Sequence, residues 1–240
     1  MGFSKRAIVT GGGTGIGAAV SRLMLAQGYE VVAVGLDEPD WSEEGFSFER
    51  LDLLDLDATR TFAERTAADK PVTHFVHNAG FILPNLLESA KPEDLVKLTT
   101  IHAGSALVFA QALTPGMKER RFGRIIFNSS RASLGARTRT AYSYSKAGIH
   151  GMMRTWALEL GEFGITVNTV APGPILTDNF WGIVEKDGPL QKQIADGLPV
   201  RRIGLPDDVA RAILFFADPL NGYVTGQTLF VCGGASIGSP

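Results

Sequence analysis

The stretch that most narrows what this chain can fold into is Thr10-Gly11-Gly12-Gly13-Thr14-Gly15-Ile16-Gly17. It follows a short apolar run, Ala7-Ile8-Val9, that reads as a buried strand. It opens a segment with apolar residues at Ile16, Val20, Leu23 and Met24, which is helical spacing. A strand, a glycine-dense turn and a helix start together make an anion site. The first N–H groups of the helix are unpaired, and its dipole favours negative charge there. Glycines also let a pyrophosphate approach the backbone without meeting a Cβ. No Gly-Lys-Ser/Thr follows, so the lysine of a triphosphate-binding loop is missing. Taken alone, the cluster also fits a plain surface turn.

The remainder of the chain repeats the strand-then-helix pattern. Gly28 reads as the stop of the first helix and Val31-Val32-Ala33-Val34 as a second buried strand. Further strands are expected at Phe46–Leu51, ending at Asp52, and at His74–His77, ending in Asn78-Ala79-Gly80. Arg124–Phe127 and Ile165–Val170 complete the set. Between them lie a helical pattern through Leu56, Ala58, Phe62 and Ala63 and a long one from Pro92 to Met117. The second carries apolar positions at Leu95, Leu98, Ile101, Leu107 and Phe109. Apolar strands alternating with amphipathic helices predict an α/β fold: one Rossmann-type, doubly wound parallel sheet with helices on both faces. With 240 residues and no linker or repeat, a single domain spanning 1–240 is expected. Ligands of such sheets sit beyond the strands' C-terminal ends, where the turns after Val9, Val34, Leu51, His77, Phe127 and Val170 gather.

Charge and cysteine content exclude several function classes. A net charge of −2 gives no reason to expect a nucleic-acid partner or an anionic membrane. The lone cysteine, Cys232, rules out an internal disulfide and a Cys-cluster metal site, and no histidine or carboxylate grouping has metal-ligand spacing. Neither a signal-peptide run nor a membrane-length apolar run is present, so a cytoplasmic location is expected.

Tyr142-Ser143-Tyr144-Ser145-Lys146 is the second informative stretch. Helical spacing of four puts Tyr142 and Lys146 on one face. A phenol titrates near ~10, and a nearby ammonium favours its ionised form, which a neutral-pH proton shuttle needs. Tyr144 has only Gly148 at the same spacing and lacks this help. The bland alternative is an ordinary surface pair.

With these residues in view, the chain resembles the short-chain dehydrogenase/reductase family from Ala7 to about Gly234. The motifs that carry the resemblance are Thr10-Gly11…Gly15-Ile16-Gly17, Asn78-Ala79-Gly80, Ser129-Ser130, Tyr142…Lys146 and Pro172-Gly173-Pro174-Ile175…Thr177. Arg201 to Ala210 and Thr225-Gly226-Gln227-Thr228 match as well. The resemblance implies a hydride transfer between a nicotinamide cofactor and a secondary alcohol or ketone. Tyr142 would be the general acid/base, and Lys146 would lower its pKa and hold the nicotinamide ribose. A serine would hydrogen-bond the substrate oxygen. Strand register selects Ser130 for this role, whereas counting back from Tyr142 selects Ser129. For the cofactor the resemblance implies Gly11, Gly13, Thr14, Gly15, Ile16 and Gly17 around the pyrophosphate, and Asn78, Ala79 and Gly80 on the adenosine side. Asp52 and Leu53 would flank adenine, and Pro172, Gly173, Ile175 and Thr177 would cradle the carboxamide. Asp52 reads equally well as a helix N-cap.

Two positions depart from the family. His102 stands where an asparagine normally seats a relay water, and it is expected to keep the relay and add a pH dependence. His77 replaces a first asparagine and reads as a strand-end residue. Asp37, twenty positions beyond Gly17, suits an adenosine ribose or a turn in Leu36-Asp37-Glu38-Pro39. No basic residue stands at Thr14 or Leu36, so NAD(H) is favoured, with NADP(H) possible.

Residues 176–200 are expected to form a lid, with Phe180, Trp181, Ile183 and Val184 facing Phe81, Ile82 and Leu83 across an apolar pocket. Arg131, Arg137 and Arg139 precede Tyr142 and fit a carboxylate-bearing substrate, solvated charges or a subunit contact. Cys232 reads as a small buried filler. By analogy with the family, a homotetramer or homodimer is expected. Two other readings remain: a non-catalytic dinucleotide-binding scaffold on the same fold, and a reductase of a C=C or C=N bond.

Overall fold

In a computed structural model that describes residues 5–182 and 184–237, β1 (Arg6–Thr10) lies inside a seven-stranded sheet. The other strands are β2 (Glu30–Gly35), β3 (Phe46–Arg50), β4 (His74–His77), β5 (Gly123–Asn128), β6 (Ile165–Pro172) and β7 (Thr228–Val231). All pairings are parallel, and the order is β3-β2-β1-β4-β5-β6-β7. The chain therefore reverses its direction of travel between β1 and β4, which opens a crevice at their C-terminal ends.

Strand alternation sorts the core into two layers. Ile8, Phe75, Ile125 and Phe127 point to one face, while Ala7, Val9, Val76 and Ile126 point to the other. On the first face they pack against α2 (Leu56–Asp69), α4 (Ser105–Arg120) and α5 (Thr140–Leu160), through Phe62, Phe109, Leu113, Ile149 and Met153. On the second they meet α1 (Gly15–Ala26) and α8 (Pro206–Ala217), through Val20, Met24, Val209, Ile213 and Phe216. Burial on both faces explains why these strands read as near-continuous apolar runs rather than alternating ones.

Three local expectations change. The pattern from Pro92 onward is not one regular helix: α3 (Pro92–Thr99) and α4 are joined by a wider π-turn over Thr100–Gly104. Leu95, Leu98, Ile101 and Phe109 still pack inward, but Leu107 is exposed. The N-cap of α2 is Asp55, not Asp52. The Asp55 side chain accepts from Asp57 N and Ala58 N, a contribution of about 1 kcal/mol. Asp52 instead closes a local turn by accepting from Leu54 N at 2.9 Å. The stretch Phe230-Val231-Cys232-Gly233-Gly234, finally, resembles the family's last strand in sequence, but β7 ends at Val231 and Cys232 lies just beyond it, buried, with Sγ 3.2 Å from Ser236 Oγ.

Candidate active site

The glycine turn is held by its carbonyls. Gly11 O accepts from Asn78 Nδ2 at 3.2 Å, Gly12 O from Ser21 Oγ at 2.9 Å, and Gly13 O from Trp41 Nε1 at 2.9 Å. Three elements thus anchor the carbonyl side. No side chain caps the start of α1, so its first-turn donors remain available. A Cβ on Gly17 would overlap the Gly11 carbonyl, so the helix can approach the turn this closely only with glycine there. An uncapped helix start behind an anchored turn fits a dinucleotide pyrophosphate.

A line of hydrogen bonds joins this turn to Lys146. Asn78 Oδ1 accepts from Asn128 Nδ2 at 2.8 Å, and Asn128 O accepts from Lys146 Nζ at 2.8 Å. Thr10 Oγ1 accepts from Asn78 N and Ala79 N, both at 3.0 Å. Asn78 accordingly holds protein groups with its amide, and its own N–H and that of Ala79 are taken up by Thr10. His77 is buried beneath, with Nε2 3.1 Å from Ile101 O and Nδ1 3.1 Å from Thr10 Oγ1. The carbonyl acceptor assigns the proton to Nε2, and burial pushes the imidazole pKa down to about 3. It is a strut between β1 and the π-turn.

On the other side of the crevice, the first turns of α5 bring Tyr142 and Lys146 together. Lys146 Nζ lies 5.7 Å from the centre of the phenol ring. Lys146 is buried and has no carboxylate partner among the described residues, and this desolvation lowers its pKa to about 7. Tyr142 departs from expectation. Burial raises its pKa above the ordinary phenol value, against the opposing pulls of a hydrogen bond from Ser130 and the charge of Arg139. Ser130 and Arg139 are the groups that oppose this rise.

The structure separates the two serines. Ser130 faces the Tyr142 hydroxyl. Ser129 is buried, donates to Lys146 O at 2.9 Å and lies 2.9 Å from His150 Nε2, so it ties the end of β5 to α5.

His102 sits in the π-turn, fully buried, with its ring edge-on to Tyr142 at 5.5 Å between centroids. Nδ1 lies 2.9 Å from Ser145 Oγ, whose own proton goes to Tyr142 O at 3.0 Å. That assigns the imidazole proton to Nδ1 and leaves Nε2 as a buried acceptor with no protein partner. A Cβ on Gly80 would overlap that Nε2, so glycine at 80 and histidine at 102 are sterically matched. Burial, and then the Lys146 charge, hold the His102 pKa well below the usual imidazole value. The expected titration near neutral pH therefore does not come from His102, which stays uncharged.

Matching in a family model described as enoyl-(acyl carrier protein) reductase extends over residues 11–236. Among curated proteins, the chain is 35% identical to a (2S)-[(R)-hydroxy(phenyl)methyl]succinyl-CoA dehydrogenase subunit of Thauera aromatica, over 99% of both chains. It is 33% identical to an acetoacetyl-CoA reductase of Shinella zoogloeoides, over 97% of this chain and 98% of the relative. The chain belongs to the short-chain dehydrogenase/reductase family. A solved structure, a putative NAD(P)-dependent gluconate 5-dehydrogenase from Beutenbergia cavernae with NADP bound at low occupancy, superposes with a TM-score of 0.88. It is 30% identical and covers 98% of this chain, 97% of its own. As a member of this family the protein is an oxidoreductase that uses a nicotinamide cofactor on a ketone/alcohol pair.

Several of the remaining family positions lie at or just after the end of β6. Pro172 ends β6, and Gly173 N donates to Val231 O at 3.0 Å. Ile175 is buried and bridges to Gly204. Thr177 is the N-cap of the short helix α6 (Asp178–Trp181), and its Cγ2 lies 3.5 Å from where a Cβ of Gly15 would stand, so this segment reaches the glycine turn directly. A further helix, α7, covers Pro189–Asp196. Phe180 and Trp181 pack edge-on at 5.2 Å. Val184 is buried, Phe81 and Leu83 pack on the core, and Ile183 lies outside the described residues. Asp37 and Thr14 are exposed, while the Leu53 side chain is buried in the core, so only its backbone is left to flank a base.

Sequence reasoning did not single out Ser21, Trp41 or Asn128 as parts of this arrangement. None lies in a glycine or Tyr–Lys motif, and Trp41 and Asn128 meet their partners Gly13 and Asn78 across 28 and 50 residues.

Proposed function

We propose that this protein interconverts a secondary alcohol and a ketone of the 3-hydroxyacyl/3-oxoacyl type, with Tyr142 as the proton donor and acceptor. The observation that carries this reading is the convergence of Ser130 and Lys146 on Tyr142 beside an anchored glycine turn. The substrates named for the two relatives, both acyl-CoA compounds, support the acyl class.

In the reducing direction the cofactor supplies a hydride to the carbonyl carbon. As charge develops on the carbonyl oxygen, Ser130 Oγ donates a hydrogen bond to it and the Tyr142 hydroxyl transfers its proton. A phenol held above its ordinary pKa keeps that proton at neutral pH, which suits it to act as the acid. Lys146, with a pKa of about 7, is partly protonated there and stabilises the phenolate left behind. Alcohol oxidation runs these steps in reverse and requires additional positive charge beside the phenol. His102, uncharged, offers Nε2 as an acceptor next to the pair.

The NADP held by the Beutenbergia cavernae neighbour supports NADP(H), against the NAD(H) expected from sequence. Asp37 is the residue of this chain that opposes a 2′-phosphate. Apolar side chains left exposed on α4 and α5, Leu107 and Leu158, support a homo-oligomer. The chain's Tyr–Lys spacing and serine favour the carbonyl reading over a C=C or C=N reductase or a non-catalytic scaffold.

The test is a panel of 3-oxoacyl and 3-hydroxyacyl compounds assayed by nicotinamide absorbance with both cofactors. Tyr142→Phe is expected to lower kcat about 10²- to 10⁴-fold with little change in dinucleotide binding. Full activity in Tyr142→Phe would end the assignment of the phenol.

A further inference from the structure

We propose that Arg139 is the receptor for a carboxylate carried by the substrate within a few bonds of its reacting carbon. This deepens the alcohol/ketone reading of the site and rests on it.

Arg139 caps α5 three residues before Tyr142, a spacing that makes the two neighbours over the first helical turn. Its backbone is fixed on several sides. Arg139 bridges to Asn85 on the opposite wall, Asn85 N donates to Thr138 O at 3.0 Å, and Ser143 N donates to Arg139 O at 2.6 Å. The side chain is partly buried and held at one end only. Nη1 donates to Thr138 Oγ1 at 2.6 Å. Thr138 has φ 65°, a left-handed conformation that a β-branched residue seldom adopts. That strained turn sets the hydroxyl that Nη1 grips, and strain of this kind gathers where a group must be aimed.

What Arg139 lacks is an anion. Among the described residues it forms no ion pair, whereas Arg6 is paired with Glu30 and Asp69, and Arg202 and Arg211 with Asp208. Asp94, on the same wall, is bound by Asn85 Nδ2 at 3.1 Å instead. The Nε–Nη2 edge of the guanidinium carries no protein bond among the described residues. This is the planar fork that holds a carboxylate by two parallel hydrogen bonds. The Arg139 charge acts on the Tyr142 hydroxyl and opposes the rise in its pKa. With the three-residue spacing on α5, this puts an anion received by Arg139 at the same end of the helix as the oxygen that exchanges its proton with Tyr142. The distant phosphates of a carrier-bound substrate do not meet that condition.

The experiment compares acetoacetate with methyl acetoacetate, which differ by the carboxylate charge two bonds from the ketone carbon. kcat/KM is measured for wild type, Arg139→Gln and Arg139→Lys with NADH and NADPH. Calorimetry measures binding of the same two compounds to the enzyme–NAD⁺ complex. Wild type is expected to favour the acid over the ester by about tenfold or more, as for a charge-assisted hydrogen-bonded pair. Arg139→Gln should remove most of that ratio through KM and binding, and Arg139→Lys should restore part of it. An acid-to-ester ratio that Arg139→Gln leaves unchanged, or a wild type that binds both compounds equally, overturns the proposal. If wild type binds the acid through Arg139 yet turns over neither compound with either cofactor, the carboxylate site stands and the catalytic reading fails. Turnover of both with an unaltered ratio is the reverse result.

Discussion

Asp37 stands two residues past the end of β2, exposed, and its carboxylate makes no hydrogen bond or ion pair among the described residues. A ribose offers such a group two hydroxyl donors, whereas a 2′-phosphate would bring like charge against it. At contact in water-like screening that repulsion is about 1 kcal/mol, or roughly fivefold in affinity. Asp37→Ser should thus lower the Kd for NADPH about fivefold in a fluorescence titration and leave that for NADH little changed. An unchanged NADPH Kd in that variant would remove Asp37 from the cofactor reading. The same scale shows where residue counting stops being informative. Two counting rules disagreed over Ser129 and Ser130, because each depends on a loop length; side-chain direction separates them, sending Ser129 to His150 and Ser130 to Tyr142. For His102 the sequence supplied an imidazole but not its surroundings. Burial beside Lys146 keeps it neutral, so its part in the site is that of a fixed acceptor.

The glycine turn and α1 behave as one element. Asn78, Ser21 and Trp41 hold its carbonyls from three directions, and Gly17 lets the helix come against Gly11. Gly17→Ala would force the turn and the helix apart. We expect it to cost about 1–3 kcal/mol of stability, as overpacking does, and to weaken NADH binding by at least about tenfold while far-ultraviolet circular dichroism stays native. Unchanged NADH affinity in that variant would mean that the turn does not hold the dinucleotide. At this scale the sequence was most informative: six of the seven strands and the helices α1, α2 and α4 follow from apolar runs and their period, because burial on both faces leaves a strong pattern. The π-turn was invisible to that pattern. One residue more per turn leaves the apolar spacing of Leu95, Leu98, Ile101 and Phe109 nearly intact, and only the exposed Leu107 betrays it.

Across the whole molecule, the buried imidazoles couple folding to pH. Burial lowers His74 from 6.5 to about 4 and His77 to about 3. Between those values and about 6.5 the unfolded chain binds protons that the folded chain does not. The imidazoles' contribution to stability is therefore complete above about 6.5 and falls as the pH drops toward 4. Lys146, lowered from 10.5 to about 7, adds a second window of the same sign, in which stability rises as pH climbs from 7. Urea midpoints measured between pH 7 and pH 5.5, above most carboxylate titrations, should decrease on acidification, and His77→Asn should flatten part of the slope. Midpoints that hold steady or rise toward pH 5.5 would show that these imidazoles are not buried neutral. The family, the parallel sheet and the crevice at its C-terminal edge were settled by the sequence alone, since they rest on short-range patterns: apolar period, glycine spacing, and Tyr142 and Lys146 on one helix face. The tertiary structure decided which serine faces the phenol, the charge state of Lys146 and His102, and the place of Arg139 beside Tyr142. Those depend on desolvation and on side chains meeting across tens of residues, and neither is written in local order along the chain.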